Sequence, residues 1–557
     1  MAFSLPSPHP QAPVETLAAN LRQLLAHQPD LHTRLHWPVA GEHLAVDTDG
    51  GWKLQIHDTK VDVLPTVEQR AAALAGIPAN FSGTLWLFGI GLGELLAEIL
   101  KRFSSARVIA WDRDPWVLRQ ALAHNDFSTA LDSGALRFAL NADLAQLLAS
   151  DEPRALVLHP IFARIYNNER ALLQADLSRP RALVCCGTLF VDSVASALRA
   201  EGYSIFSFDA ERQSPEELEL VLQTWRPEFI AGINYIQGLA EFGEDHGVPY
   251  LCWEIDPATD LPAPLHKPAP RARIFTYRAA NIPVFHAAGL EQVRYLPLAA
   301  DPARRKPAQL SPEQRTRYGA EVSFVGASMM RNVEPFQDQF KSQLAGWGVV
   351  PDEFAPRIIS EVTAAQRADF TRYLIPDLLD QLLPGFRAHC SAASLPDPAS
   401  LLAEISAAEK RLNYLVELAN HDLAVWGDPG WSQLAAHGVR TPGSALHETE
   451  LPLIYSASTI NIDVGRLYQS DIITMRIFDI LACGGFVLAE HSEALAEAFE
   501  LGVEIESYRT LPELQDKVAH YLRHPDQART LAAAGREAVL TRHTIQGRVR
   551  EMLAART

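Results

Sequence analysis

Short apolar runs alternate with helix-forming segments over most of the chain. The first clear case is GTLWLFGIGLG (residues 83–93), which is followed by the helical pattern ELLAEILKRF and then by a second apolar run, ARVIAWDRDP (106–115). Apolar runs bounded by glycine and separated by helical patterns are typical of β-α-β units, whose strands form a parallel sheet. The alternation therefore predicts an α/β fold.

The alternation starts afresh at RALVCCGTLF (181–190) and again at AEVSFVGAS (320–328), after the Pro- and charge-rich linker PARRKPAQLSPEQRTRYG (302–319). We therefore predict three Rossmann-like domains. In order, the predicted segments are an N-terminal cap (1–80), a first Rossmann-like domain (81–180), a second (181–305), a third (319–510) interrupted by a helical insertion (333–420), and C-terminal helices (511–557).

The charge balance limits the classes of partner. Lysine and arginine number 49 against 67 acidic residues, which gives a net charge of −18. A chain with this excess of negative charge is a poor binder of nucleic-acid backbones and anionic membranes. Small molecules and proteins are the expected partners.

Cysteine usage and the N-terminus favour a cytoplasmic protein. The five cysteines lack CxxC spacing and lie among apolar or small residues, which favours neither a disulfide framework nor a zinc site. The first residues lack the pattern of a signal peptide, and no apolar stretch has the length of a membrane span. We expect no membrane span and no bound metal.

The stretch FVGAS (324–328) indicates a turn that holds phosphate. Gly326 and Ser328 would follow a strand directly, where a residue without Cβ lets backbone N–H groups approach a diphosphate and a hydroxyl can donate. Arg331 would add positive charge. The alternative is that Gly326 only permits a tight turn, because a single glycine turn is weakly specific.

A longer motif covers DVGRLYQSDIITMRIFDILACGGFVLAEHSEAL (463–495). Together with VRYLPLAAD, GVPYLCWEID and FVGAS, it resembles the CgeB-like glycosyltransferases, a group with the GT-B fold named for a spore maturation protein. The resemblance covers roughly residues 181–550 and includes the closing helical segment. The first Rossmann-like domain resembles those of motility-accessory proteins that glycosylate flagellin.

The resemblance implies a function. The second and third domains would form a GT-B enzyme that transfers a sugar from a nucleotide-diphosphate sugar to an acceptor hydroxyl on a protein such as flagellin, or on a glycan. No metal or other cofactor is implied, and positive charge with helix-end N–H groups would stabilise the leaving diphosphate.

The same resemblance assigns residues of the donor site. Asp479 matches the acid that binds the ribose in GT-B enzymes, and Asp471 precedes it by seven intervening residues, as Asp in place of the usual Glu. Asp471 should lie in a loop, and its alternative role is to cap the next helix together with Ser470. Asp479 could instead be a solvated helix-face acid. Arg476 could bind a phosphate or pair with Asp479.

Two further residues complete the expected site. His447 lies in the loop TPGSALHETE, where GT-B enzymes hold the nucleotide base, although a surface histidine is an equal alternative. Asp256, in CWEIDPATD, resembles the acid of a W-x-x-D segment in the family. It could deprotonate the acceptor hydroxyl or cap the turn before Pro257.

The earlier glycine turn offers a second site. Gly89, Gly91 and Gly93, followed by Asp112 after the next strand, have the spacing of a nucleotide-binding turn. Three interpretations stay open: a purely structural turn, a module that recruits the acceptor, and a working methyltransferase or second nucleotide site. The alternatives to a glycosyltransferase are therefore an S-adenosylmethionine-dependent methyltransferase and a non-catalytic scaffold that binds nucleotide sugars.

Overall fold

The structure is a computed structural model, and it describes residues 14–37, 44–46, 52–56, 59–185, 190–210, 213–256, 262–469 and 471–556. Contacts divide the chain into two compact units. The first comprises residues 1–253, 265–273 and 556, and the second comprises 254–264, 274–555 and 557. The predicted segment boundaries stay predictions.

The N-terminal segment combines helices with a small antiparallel sheet. Its elements are α1 (Val14–His27), α2 (Pro29–Arg34), β1 (Leu44–Val46), β2 (Trp52–Ile56), β3 (Thr59–Asp62) and α3 (Val67–Leu74). The longest of them, α1, has 14 residues. Thr66 begins α3 with a capping box, in which its hydroxyl accepts from the backbone of Gln69 and the Gln69 side chain accepts from the backbone of Thr66.

The first parallel sheet has the strand order β6-β5-β4-β7. Its elements are β4 (Thr84–Phe88), α4 (Glu94–Arg102), β5 (Arg107–Asp112), α5 (Pro115–His124), α6 (Ser128–Asp132), β6 (Leu136–Leu140), α7 (Asp143–Ala149), β7 (Arg154–Leu158), α8 (Phe162–Ile165) and α9 (Asn167–Leu172). The central strand β4 is buried over its last four residues, as expected for a strand covered on both faces.

The second sheet has the order β13-β12-β11-β10-β8-β9. Its elements are β8 (Arg181–Cys185), α10 (Val191–Ala200), β9 (Ser204–Phe208), α11 (Pro215–Trp225), β10 (Phe229–Ile233), α12 (Leu239–Asp245), β11 (Tyr250–Glu254), β12 (Ala272–Thr276), α13 (Ile282–Ala287) and β13 (Val293–Tyr295). Strands β9, β10 and β11 are buried along their whole length, and their sequences SIFSF, FIAGI and YLCWE are mostly apolar.

The third sheet is parallel and has the order β16-β15-β14-β17-β18-β19. Its strands are β14 (Val322–Val325), β15 (Leu423–Trp426), β16 (Arg440–Gly443), β17 (Ile460–Ile462), β18 (Val487–Glu490) and β19 (Glu506–Tyr508), preceded by α14 (Pro312–Tyr318). This is the doubly wound order, in which the chain reverses direction across the sheet between β14 and β17.

Five helices intervene between β14 and β15, which confirms the predicted helical insertion. They are α15 (Met330–Gly346), α16 (Pro351–Ala368), α17 (Ile375–Leu382), α18 (Phe386–Ala392) and α19 (Pro398–Val416). The remaining helices are α20 (Leu451–Ala457), α21 (Met475–Ala482), α22 (Glu493–Ala498), α23 (Leu511–Arg523), α24 (Pro525–Arg542) and α25 (Ile545–Ala554).

The predicted α/β class with three Rossmann-like sheets is confirmed. Strands β6, with five residues, and β19, with three, were not predicted from the sequence. Within the described part of the chain, no helix is both long and apolar enough to cross a membrane.

Candidate functional site

The reversal point of the third sheet lies between the carboxyl ends of β14 and β17. In open parallel sheets this position forms a crevice in which ligands bind. Gly326 follows β14, and Asp463 follows β17. Arg476 of α21 joins the two ends, because its Nε donates to the carbonyl of Val325 at 2.6 Å and its Nη1 pairs with the Asp463 carboxylate.

Gly326 permits this approach of Arg476. A Cβ built at Gly326 would lie 2.7 Å from Nη2 of Arg476, closer than side chains tolerate. The predicted turn therefore places Gly326 and Arg476 in direct contact. Glycine is required here by the neighbouring guanidinium, in addition to any ligand.

Helix α21 begins beside the same carboxylate. Its N-cap is Thr474, whose hydroxyl donates to Asp463 at 2.7 Å, and no side chain of the described residues caps the first N–H groups of the helix. Uncapped N–H groups at a helix N-terminus attract anions. Asp471 lies in the preceding turn, as predicted, but Thr474 is the N-cap, so the capping alternative for Asp471 is wrong; Ser470 lies outside the described residues.

Asp479 is buried, with a relative exposure of 3%, so the alternative of a solvated acid is wrong. Its Oδ2 accepts from Nε of Arg305 at 2.9 Å. Burial raises the pKa of Asp479 above its ordinary value, and the positive charge of Arg305 opposes that rise. Arg476 pairs with Asp463, so the proposed pairing of Arg476 with Asp479 is also wrong.

Arg305 connects two predicted site residues that the sequence could not join. Its Nη2 lies 2.9 Å from Nδ1 of His447, while its Nε bonds Asp479. The third guanidinium nitrogen, Nη1, is buried and has no hydrogen-bond partner among the described residues. In the sequence, Arg305 lies in the charged linker segment PARRKP, where no local pattern distinguishes it from the neighbouring Arg304 and Lys306.

Ser328 is fully buried and bonds within the protein. Its backbone N–H donates to Oδ2 of Asp428 at 2.6 Å, and its hydroxyl donates to the other oxygen of that carboxylate. The hydroxyl also accepts from the N–H of Met330 at 3.1 Å. Arg331 is exposed near the start of α15. Asp428, at the end of β15, was missed by the sequence analysis.

Arg411 of α19 covers the reversal point. Its Nη1 donates to the carbonyl of Ala327 at 2.8 Å, and its Nε donates to the carbonyl of Val464 at 3.3 Å. Burial lowers the pKa of Arg411 to about 9, and the charges of Arg476 and Arg466 act in the same direction. Positive charge is therefore concentrated around the ends of β14 and β17.

Asp471 has a partner of its own. Nη2 of Arg278 lies 2.8 Å from Oδ1 of Asp471, and it also donates to the carbonyl of Tyr468 at 2.9 Å. Asp256 follows β11, and desolvation raises its pKa above the ordinary value while Arg466 opposes the rise. The predicted acids thus have different partners: Asp479 bonds Arg305, and Asp471 bonds Arg278.

A cavity of about 460 Å³ lies at the carboxyl ends of β17, β18 and β19. It is adjacent to the reversal point, since Asp463 and Thr474 line it. The full lining consists of Phe370, Thr371, Arg372, Tyr373, Lys410, Asp463, Gly465, Arg466, Leu467, Gln469, Ile472, Thr474, Ile477, Glu490, His491, Ser492, Arg509 and Thr510.

In the first Rossmann-like sheet, Asp112 is fully buried and accepts three hydrogen bonds from the protein. Its Oδ2 accepts from the N–H of Ile90 at 2.7 Å, and its Oδ1 accepts from the Tyr166 hydroxyl at 2.6 Å and the N–H of Asp114 at 3.0 Å. Burial raises the pKa of Asp112 to about 6, and these bonds oppose the rise. Its oxygens are thus committed to the protein instead of a ribose.

The glycine turn after β4 is also packed by protein. Gly89, Gly91 and Gly93 all have positive φ, as a non-glycine residue rarely does. A Cβ at Gly91 would lie 2.7 Å from Nε2 of His159, and one at Gly89 would lie 2.8 Å from Cβ of Phe162. This packing favours the structural interpretation of the turn.

No group of three or more His, Cys, Asp or Glu side chains in the described ranges is arranged to hold a metal ion.

Comparisons with known proteins give one family match. Residues 405–554 match the profile of a family described as glycosyl transferase-like. This region contains α21 with Arg476 and Asp479, and it ends in α25. No curated protein sequence matches the chain significantly.

Several solved structures have low similarity to the chain. Sucrose-phosphate synthase from Thermosynechococcus elongatus is 12% identical, covering 68% of this chain and 98% of that one, with a TM-score of 0.41. HepE from Anabaena in complex with UDP and glucose is 13% identical, covering 85% of this chain and 98% of that one, with a TM-score of 0.33. The MAf glycosyltransferase from Magnetospirillum magneticum AMB-1 is 15% identical to this chain. The match covers 52% of this chain and 57% of that one, with a TM-score of 0.20. TM-scores this low do not establish a shared fold.

Proposed function

We propose that this protein is a glycosyltransferase of the GT-B class that transfers a sugar from a nucleotide-diphosphate sugar to a hydroxyl of a protein or glycan. One observation carries the proposal. The glycosyl transferase-like match over residues 405–554 includes α21, which brings an arginine and an uncapped N-terminus to the reversal point of a doubly wound sheet. A diphosphate is the ligand that such a position suits.

The diphosphate would bind against Arg476 and the first N–H groups of α21. Arg476 is oriented by Val325 and Asp463, so its Nη2, beside Gly326, is the nitrogen left to face a ligand. As the bond from the sugar to the diphosphate breaks, negative charge grows on the leaving oxygen. A preorganised guanidinium and helix dipole stabilise that charge, and this mechanism requires no metal.

The nucleoside would bind at the group formed by Arg305, Asp479 and His447. Arg305 holds one oxygen of Asp479, which orients the carboxylate, favours its ionised form and leaves Oδ1 to accept from a ribose hydroxyl. The buried Nη1 of Arg305 is a further donor for a nucleotide oxygen. His447, bonded to the same guanidinium, would contact the base.

Asp256 is the proposed base. It would take the proton from the acceptor hydroxyl while the acceptor oxygen forms its bond to the anomeric carbon and the nucleoside diphosphate leaves. Asp256 is exposed, but desolvation by its surroundings raises the pKa of its carboxyl, which makes the carboxylate a stronger base than an ordinary aspartate.

A methyltransferase is less well supported. A cofactor ribose at the first glycine turn would have to reach the carboxylate of Asp112, which is fully buried and already accepts from Ile90, Tyr166 and Asp114. A non-catalytic scaffold differs from an enzyme only in turnover. Slow hydrolysis of a bound donor by the purified protein would support the enzyme over the scaffold.

A thermal-shift screen with UDP, GDP, dTDP, CMP and S-adenosylmethionine tests the proposal. A ligand that binds only the native state raises the melting temperature, and at a hundred times its Kd it adds about 2.7 kcal/mol of stability. We expect one nucleotide to stabilise the protein and S-adenosylmethionine to have no effect. Stabilisation by S-adenosylmethionine alone would contradict the proposal.

A further inference from the structure

The cavity at the ends of β17, β18 and β19 lies beside the proposed diphosphate site, but the function proposed above places neither the diphosphate nor the nucleoside in it. Cations dominate its polar lining: Arg372, Lys410, Arg466 and Arg509 face two acids, Asp463 and Glu490. In a chain whose net charge is −18, such a local excess of positive charge is unusual. Cations gathered in a concave site concentrate anions there.

The acids of the cavity are already neutralised. Lys410, with a relative exposure of 1%, pairs with Oε1 of Glu490, and Oε2 of Glu490 accepts from the N–H of Gly465 at 2.9 Å. Asp463 is bound by Arg476 and Thr474. These pairs offset the charges of the two lining acids. Outside the lining, Asp369 lies near Arg372 and Glu513 lies near Arg509, and Glu513 is also paired with Lys517.

Of these arginines, Arg466 has an acidic partner, whereas Arg372 and Arg509 lie at the solvent-exposed rim of the cavity. Arg466 donates to Glu404 at 3.2 Å and to the hydroxyl of Tyr468 at 2.9 Å. Arg372 and Arg509 are exposed, and the Arg509 guanidinium contacts the ring of His491. A guanidinium at a cavity mouth can bind a carboxylate or phosphate with two parallel hydrogen bonds.

The cavity also has apolar walls and a suitable size. Phe370, Tyr373 and Ile477 supply apolar surface, on which the C–H face of a sugar ring can pack. Small-molecule sites generally measure about 300–1,000 Å³, and the volume of 460 Å³ is in the lower part of that range. A monosaccharide with one charged substituent fits this combination of size, cations and aromatic rings.

We propose that this cavity receives an acidic sugar, a monosaccharide that carries a carboxylate or phosphate group. This inference rests on the proposed function, because the sugar would be the one attached to a diphosphate at Arg476. The two positions adjoin: Asp463 and Thr474 line the cavity, and both belong to the group around Arg476. Arg372 and Arg509 would bind the acidic group at the rim.

The test uses the full chain and four probes: D-glucuronate, D-glucose, D-glucose 6-phosphate and inorganic phosphate, with binding measured by saturation-transfer NMR. We expect glucuronate or glucose 6-phosphate to bind at least about tenfold more tightly than glucose, because a hydrogen bond to a charged group is stronger than one between neutral groups. The anion's affinity should fall as salt is added.

The rim arginines provide the variants, since both are exposed and their removal does not threaten folding. In the double variant Arg372→Met and Arg509→Met, the preference for the acidic sugar over glucose should fall about tenfold or more. Arg367→Met is the matched control. Arg367 is an exposed arginine of the helical insertion that also carries Arg372, but it pairs with Glu409 and does not line the cavity. The control should bind like the unchanged protein.

Three results would overturn the inference: equal affinity for glucose and both acidic sugars, an unchanged preference in the double variant, or binding of inorganic phosphate without either acidic sugar. The last would make the cavity an extension of the diphosphate site. Failure of the proposed function gives a different result, because no nucleotide would then stabilise the protein in the thermal-shift screen. If nucleotides bind but acidic sugars are not preferred over glucose, only the inference about the cavity fails.

Discussion

Arg305 and Asp479 form a buried ion pair in which Nε of the arginine lies 2.9 Å from Oδ2 of the aspartate. The side chains retain 7% and 4% of their exposure. Arg305 comes from the linker before the third sheet and Asp479 from α21, so this contact attaches the linker to the helix that carries the proposed donor site. Breaking such a pair leaves a buried charge without compensation.

Arg305→Ala should therefore destabilise the protein by about 3–5 kcal/mol and weaken nucleotide binding in the molecules that remain folded. Denaturant titration and calorimetric binding measure the two effects. Arg367→Ala is the control, since its exposed pair with Glu409 is worth at most about 1 kcal/mol. Equal stability of the two variants would show that the Arg305–Asp479 pair does not hold the linker.

Gly326→Ala should weaken binding of a nucleoside diphosphate about ten- to a hundredfold, because the new Cβ would displace Nη2 of Arg476 from its position 2.7 Å away. The matched control is Gly346→Ala at the end of α15, where an added Cβ meets no described atom within 4 Å. Calorimetric titration measures both affinities. Unchanged diphosphate affinity in Gly326→Ala would remove Arg476 from the site.

Asp256→Asn should leave donor affinity intact and lower the transfer rate by about a hundredfold or more, the usual contribution of a general base. In the unchanged protein, the rate should rise with pH through the pKa of Asp256, which desolvation raises above its ordinary value, because only the ionised carboxylate accepts a proton. Rates in the variant should lose this rise. Full turnover by Asp256→Asn would eliminate the residue as the base.

His159 should make the first unit less stable in acid. Burial lowers its pKa to about 3, so between about pH 6.5 and 3 the unfolded chain binds a proton that the native state does not. Native stability then falls as pH falls through that window, by up to about 1.36 kcal/mol per pH unit. Asp112, with its pKa raised to about 6, acts in the opposite direction between about pH 4 and 6.

His159→Asn isolates the histidine contribution. Nδ1 of His159 accepts from the N–H groups of Ile161 and Phe162, and the amide oxygen of asparagine can accept in its place without titrating. The melting temperature of the variant should depend less steeply on pH between 3 and 6.5. Asp112 is present in both proteins, so its contribution to the pH dependence cancels in the comparison. An identical dependence in the two proteins would show that His159 is not buried in its neutral form.

Local patterns in the sequence predicted part of the fold and of the candidate site. Strands such as β10 are continuous apolar runs, and the turn at Gly326 and the helix that carries Arg476 and Asp479 follow from spacing. Strand β19, with only three residues and a polar start, has no such signal. Its place in the sheet comes from pairing with β18.

The partners of the site residues could not be predicted, because they depend on contacts between distant segments. Arg305 is 174 residues from Asp479, and in the sequence it looks like a solvated linker charge. Arg411 lies in a helix of the insertion, yet it bonds carbonyls at the ends of both β14 and β17. The hydroxyl of Ser328, predicted from the sequence to donate to a ligand, donates to the carboxylate of Asp428 instead.

A crystal structure with the nucleoside diphosphate that most stabilises the protein tests the central claim most directly. We predict phosphate oxygens within hydrogen-bonding distance of Nη2 of Arg476 and of the first N–H groups of α21, with the ribose at Asp479. A nucleotide bound instead at the turn of Gly89, Gly91 and Gly93, with Arg476 unchanged, would contradict the account.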